Sequence, residues 1–166
     1  MNIFYLDRNV RLCAEAHCDK HVSKMIIEYA QLMSTAHHET NSPLAPHCYR
    51  RTHVNHPSAV WVRESQDHYS WLYELFRELN NVYSERYRKT HATWTKLANV
   101  LCHNPSLLPA RGWQDPPQCM PDEFKADDVV EAYRNYYRMG KPFARWAHTP
   151  TPSWFYVPST VVSAAN

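Results

Sequence analysis

Glycine is almost missing from this chain: its 166 residues hold only Gly112 and Gly140. Phosphate loops of the P-loop and dinucleotide-binding kinds need closely spaced glycines, so both are excluded. The cysteines, Cys13, Cys18, Cys48, Cys102 and Cys119, are odd in number and contain no CxxC pair. A disulfide framework or zinc ribbon is therefore not expected, and the composition reads as a reduced, intracellular protein. No apolar run approaches membrane-spanning length, and the opening IFYL is too short for a signal peptide. A cytoplasmic protein without a membrane partner is the expectation. Charge of one sign is also scarce, since the formal net charge is +2. A pI near 8.3 is too mild to demand nucleic acid as partner. No GxSxG nucleophile motif occurs, and HCDKH holds the ingredients of an HD-type phosphohydrolase in the wrong order.

What is abundant is histidine, with 11 residues, and proline, with 12. The imidazoles begin to charge below about pH 6.5. The length suits one domain, residues 1–166, able to bury a core without disulfides. The residue pattern predicts an all-α or nearly all-α fold, a bundle on two long helices. The first is expected over 9–38, capped by Asp7 or Asn9, with Cys18, Val22, Met25, Ile26, Tyr29, Leu32, Met33 and Ala36 on its core face. The second is expected over 57–88, with Pro57 at the first helical position and Asn55 or His56 as cap. Its apolar stripe runs Trp61, Leu72, Leu75, Phe76, Leu79, Val82 and Tyr83. Shorter helices are expected near 92–102 and 126–139, the last ended by Gly140 as a C′ residue, with a further turn over Phe143–Ala147. A proline-rich loop spans His103–Pro121, a length that often marks a lid or binding loop. The tail is expected to pack as an extended strap through Trp154 and Phe155 and to fray after about 156.

Three blocks carry a resemblance: HCDKHVSKMI, NHPSAVWVRES and MPDEFKADDVVEAYRNYYR, together with NIFYLD at the start and PSWF near the end. Up to about Phe155 the chain resembles a family of small His/Tyr-rich proteins recurrent in tailed bacteriophages, phages of cyanobacteria included. The resemblance implies a viral product inside an infected bacterial host. By association, it points to nucleotides, nucleic acid or a host protein as partner.

Four constellations could carry chemistry. On the first helix, His17, His21, Lys24, Glu28 and Gln31 fall at spacings of 4, 3, 4 and 3 and form one polar stripe, from which Asp19 and Lys20 point away. With Ile27 and Ala30 packed on its far side, the stripe would line a cleft. His17 and His21, at i and i+4, are candidate ligands for a divalent metal, but position 18 is Cys18 rather than the glutamate of a HExxH protease. The plain alternative is a solvated stripe with a Lys24–Glu28 pair. Second, Tyr49, Arg50, Arg51, His53, Asn55 and His56 precede a helix start, where an anion is favoured and arginine clamps phosphate in a bidentate way. Third, Glu64 lies one turn from His68 and could orient it as a base. Fourth, Tyr133, Tyr136, Tyr137 and Trp146 interleave with Arg134, Arg138, Lys141 and Arg145, a composition that suits base stacking but also inward packing with snorkelling cations, the reading preferred here. Cys18 on the apolar face reads as a buried structural thiol.

The resulting expectation is a phosphate-bearing ligand, a nucleotide or nucleic-acid end, in a His/Lys/Arg-lined cleft. Lys24, Tyr49, Arg50, Arg51, Asn55 and His56 would bind it, while His17, His21, His53 and Glu28 would supply proton chemistry. Two other classes stay open: a His-ligated metal-dependent hydrolase, and a non-catalytic binder that sequesters a nucleotide or blocks a host protein.

Overall fold

In the computed structural model, which describes residues 1–156, the chain is helical and forms no strand among the described residues. The helices are α1 (Val10–Ala16), α2 (Asp19–Glu39), α3 (Pro57–Glu64), α4 (Gln66–Tyr87), α5 (Ala92–Leu101) and α6 (Val129–Gly140). Helix α2 is the central element, packing on α3, α4 and α5, while α1 lies on α4. Its core-facing residues Val22, Met25, Ile26, Tyr29, Leu32, Met33 and Ala36 are buried, as the apolar periodicity predicts.

The helix expected over 9–38 is two helices. Asn9 caps the first, its side chain accepting from the Leu12 amide at 3.0 Å. His17 and Cys18 then adopt extended backbone, with ψ of 130° and 160°, before α2 begins. No proline or glycine causes this break. Tertiary partners take up the orphaned carbonyls instead. The buried guanidinium of Arg86, from α4, donates to the carbonyls of Glu15 at 2.8 Å and His17 at 2.9 Å and to the Asp19 carboxylate at 3.0 Å. The Trp146 indole donates to the Ala16 carbonyl, and Asp19 in turn accepts the Ala147 amide at 2.7 Å. The helix expected over 57–88 is divided likewise. Ser65 is extended and buried, and it caps α4 through the Asp67 amide.

Residues Ile3–Leu6 are buried and belong to no helix or sheet. Side chains satisfy their backbone: the Phe4 amide donates to the Tyr29 hydroxyl, the Cys13 thiol to the Phe4 carbonyl, and the Arg134 guanidinium to the Leu6 carbonyl. The proline-rich segment is strapped down in the same manner. His68 stacks on Trp61 and accepts the Gln114 amide, while Trp61 donates to the Gln114 carbonyl and Tyr133 to that of Pro117. Gly112, at φ +76°, occupies the one left-handed glycine position in this segment.

Gly140 serves a different purpose from the C′ stop expected of it. It is the last helical residue, with Lys141 as C-cap, and a Cβ there would lie 2.5 Å from the Tyr136 ring. Residues 141–144 make a turn rather than an added helical turn. The strap holds a short 3-10 helix, Ser153–Phe155, packed against the core through Trp154 and Phe155. The expected fraying after 156 lies outside the described residues.

Replacing Arg86 by Met removes the donor set that holds the α1–α2 break and leaves Asp19 with one fewer partner. The expected loss is about 3 kcal/mol of unfolding free energy, read from urea denaturation.

Candidate functional site

A cleft of about 810 Å³ opens beside the α1–α2 break. The first turns of α2 contribute Lys20, His21, Lys24 and Glu28, and the N-terminal segment contributes Phe4. The α3 cap adds His56, Pro117–Pro121 form another wall, and Tyr136, Lys141 and Phe143 complete it. Three lysine ammonium groups and the Met1 amino group thus converge with two imidazoles. The one lining carboxylate among the described residues, Glu28, is paired with Lys24 at 3.3 Å and with the amino group of Met1 at 3.7 Å.

Aromatic faces position the cations. Lys141 Nζ lies 4.1 Å from the Tyr136 ring centroid and donates to its hydroxyl at 2.9 Å, and Lys20 Nζ lies 4.5 Å from the centroid of Phe143. The His21 ring is almost fully buried, stacked on Phe4 at 4.4 Å with Phe143 at its edge. Its Nδ1 lies 2.6 Å from the Tyr137 hydroxyl. Burial pushes the His21 pKa down to about 3, and the positive charge of Lys141, Lys24 and Lys20 adds to the effect, as does His17. His21 is therefore a neutral imidazole at physiological pH. His56 is also shifted down, first by burial. Its Nδ1 accepts the Ser58 amide at 3.1 Å, which leaves the ring proton on Nε2.

His17 lies close in sequence but outside this cleft. It is fully buried, and both nitrogens are engaged: Nδ1 faces the Cys13 carbonyl at 2.7 Å and so carries the proton, and Nε2 takes the Tyr29 hydroxyl at 2.7 Å. Burial lowers its pKa to about 4. The helix break separates it from His21, so the two rings do not share one helical stripe as the spacing suggested. Among the described residues, no group of three or more His, Cys, Asp or Glu side chains is arranged to hold a metal ion.

The second constellation divides too. His56 is the α3 cap and lines the cleft, whereas Asn55 is exposed and does not cap. Arg51 pairs with Glu39 at 2.8 Å, and Arg50 is exposed. Tyr49 bonds Thr93 through its hydroxyl and lies under Lys96. His53, at φ +48°, is exposed with its Nδ1 on the Thr52 hydroxyl. None of Tyr49, Arg50, Arg51 or His53 lines the cleft. His68 bonds the Trp61 carbonyl and the Gln114 amide rather than Glu64, a structural arrangement. Arg63 braces the loop through the Val54 carbonyl.

Sequence reasoning missed Lys20, Phe4, Tyr136, Lys141 and Phe143. Lys20 lies one turn before Lys24 on the same side of α2, at the edge of the stripe through His21, Lys24 and Glu28. Within YRNYYRMGKPFARW the packing reading holds for the buried Tyr133, Tyr137 and Trp146, while Tyr136 and Lys141 belong to the cleft. No described helix is long and apolar enough to cross a membrane. Compared with family models, curated proteins and solved structures, the chain has no match.

A histidine kept neutral in the fold takes up a proton more readily when unfolded. With folded values near 4 for His17 and His37 and near 3 for His21, stability is full above about pH 6.5 and declines as pH falls toward 4. His17→Gln removes one such group and should make the slope of unfolding free energy against pH shallower by up to about 1.4 kcal/mol per unit in that window, measured by urea titration at several pH values.

Proposed function

We propose that the chain binds a phosphate-bearing ligand, a nucleotide or nucleic-acid end, in the cleft between the start of α2, the α3 cap and the end of α6. The observation that carries this reading is the convergence of Lys20, Lys24 and Lys141 with His21 and His56 on one cavity whose sole carboxylate among the described residues is already paired. Such a surface is rich in donors and positive charge, which matches the oxygens of a phosphate. The volume falls within the range typical of small-molecule pockets, about 300–1,000 Å³. The ring of Phe143, partly exposed at the cleft, offers a face on which a base can stack. On the resemblance of its sequence blocks to tailed-phage proteins, we read the place of action as the cytoplasm of an infected bacterium.

Titration calorimetry with the common nucleotides, at low and at moderate salt, tests this. Lys24→Ala and Lys141→Ala should each weaken binding about tenfold, since each removes a charge-assisted contact. Arg51→Ala, whose guanidinium is held by Glu39 away from the cleft, should change it less than about twofold. Equal losses for the arginine and lysine variants would move the site to the loop before α3.

A further inference from the structure

The two imidazoles of the cleft say more about the ligand than the lysines do. His56 has its Nδ1 lone pair occupied by the Ser58 amide, so its remaining nitrogen is an N–H. At His21 the partner of Nδ1 is the phenol of Tyr137, fully buried and held in its neutral form far above the normal range by burial. We assign the shared proton to the bond Tyr137 O–H to His21 Nδ1, because the phenol is a stronger acid than a neutral imidazole N–H and the neighbouring Cys18 thiol is a weaker acceptor than the imidazole. The ring proton of His21 then sits on Nε2, which has no bonding partner among the described residues. Among the described lining side chains the other polar groups are the Asn2 carboxamide, which donates as well as accepts, and groups already engaged. The Gln118 amide is consumed by the backbone of Ala126, the Tyr136 hydroxyl receives Lys141, and Glu28 is paired.

Resting on the reading above, we propose that the cleft recognises a terminal phosphate monoester, that of a mononucleotide or a strand end, through two imidazole N–H donors, His21 and His56, set among Lys20, Lys24 and Lys141. A monoester presents three terminal oxygens and about two negative charges, and it needs no second exit for a continuing chain. An internal diester presents two such oxygens and one charge, and its backbone must leave in both directions. Donors arriving from the α2 start, the α3 cap and the segment after α6 can satisfy the three oxygens together. Tyr137 acts through His21 as a positioning residue, since it selects which nitrogen bears the proton.

The test uses the full chain, calorimetry with the four deoxynucleoside 5′-monophosphates and their methyl phosphodiesters, and long-range proton–nitrogen NMR of the histidine rings. The monoester is expected to bind at least about tenfold tighter than its methyl ester. His21→Gln, which keeps an N–H donor at that depth, should retain most of this preference, whereas His21→Phe should lose it. The NMR spectrum should show the Nε2–H form at both His21 and His56, with Tyr137→Phe disturbing the former alone. Equal affinity for monoester and methyl ester, or an Nδ1–H form at His21, would overturn this inference while leaving the phosphate cleft intact. Absence of binding to either class, or binding indifferent to Lys24→Ala and Lys141→Ala, would overturn the parent reading and this one with it.

Discussion

One buried guanidinium organises this molecule. Arg86 reaches from α4 to the carbonyls of Glu15 and His17 and to the Asp19 carboxylate, and so holds open a break that the local sequence has no reason to make. A continuous helix would satisfy those carbonyls internally; an interrupted one must find donors elsewhere. With the break in place, Asp19 becomes the anchor for the Arg145–Ala147 segment through its carboxylate and its amide. That segment follows Lys141 and Phe143, so the same bond set that starts α2 also brings the far wall of the cleft to it. The cost is visible, because Arg86 Nε is buried without a partner.

The break also explains the titratable density of HCDKH. Three of its five residues are structural: His17 bridges the Cys13 carbonyl and Tyr29, Cys18 lies buried at the α2 cap position, and Asp19 holds Arg86. Lys20 and His21 face the cleft. The polar groups that make the fold and those that line the site are therefore neighbours in sequence and separate in role. Burial keeps the imidazoles of both sets neutral, so the positive potential of the cleft comes from the lysines and the Met1 amino group rather than from histidine.

Much of the fold was legible because it follows from periodicity. The core face of α2, the stripe of α4, and the existence of α5 and α6 all rest on apolar residues recurring at helical spacing, which backbone geometry converts directly into a buried side. Helix ends and breaks were less legible. Those at Ser65 and His17–Cys18 carry no proline or glycine, and the groups that stabilise the latter, Arg86, Trp146 and Ala147, lie far away in sequence. The site was legible in half. His21, Lys24 and Glu28 were found from one helix, and His56 from a loop; Arg50, Arg51 and His53 carry suitable chemistry but lie outside the cleft.

By itself the sequence determined the helical class, the absence of glycine-built phosphate loops, and the supply of lysine, histidine and tyrosine from which a donor-rich cleft can be made. These depend on residue type and local spacing, which the chain carries openly. Only the tertiary structure decided which of those groups meet. Lys141 and Tyr136 join Lys20, His21 and His56 because α6 packs where the Ile3–Leu6 segment and the Asp19 anchor hold it. Hydrogen bonds between residues more than a hundred positions apart set that packing, and no periodicity in the chain encodes them.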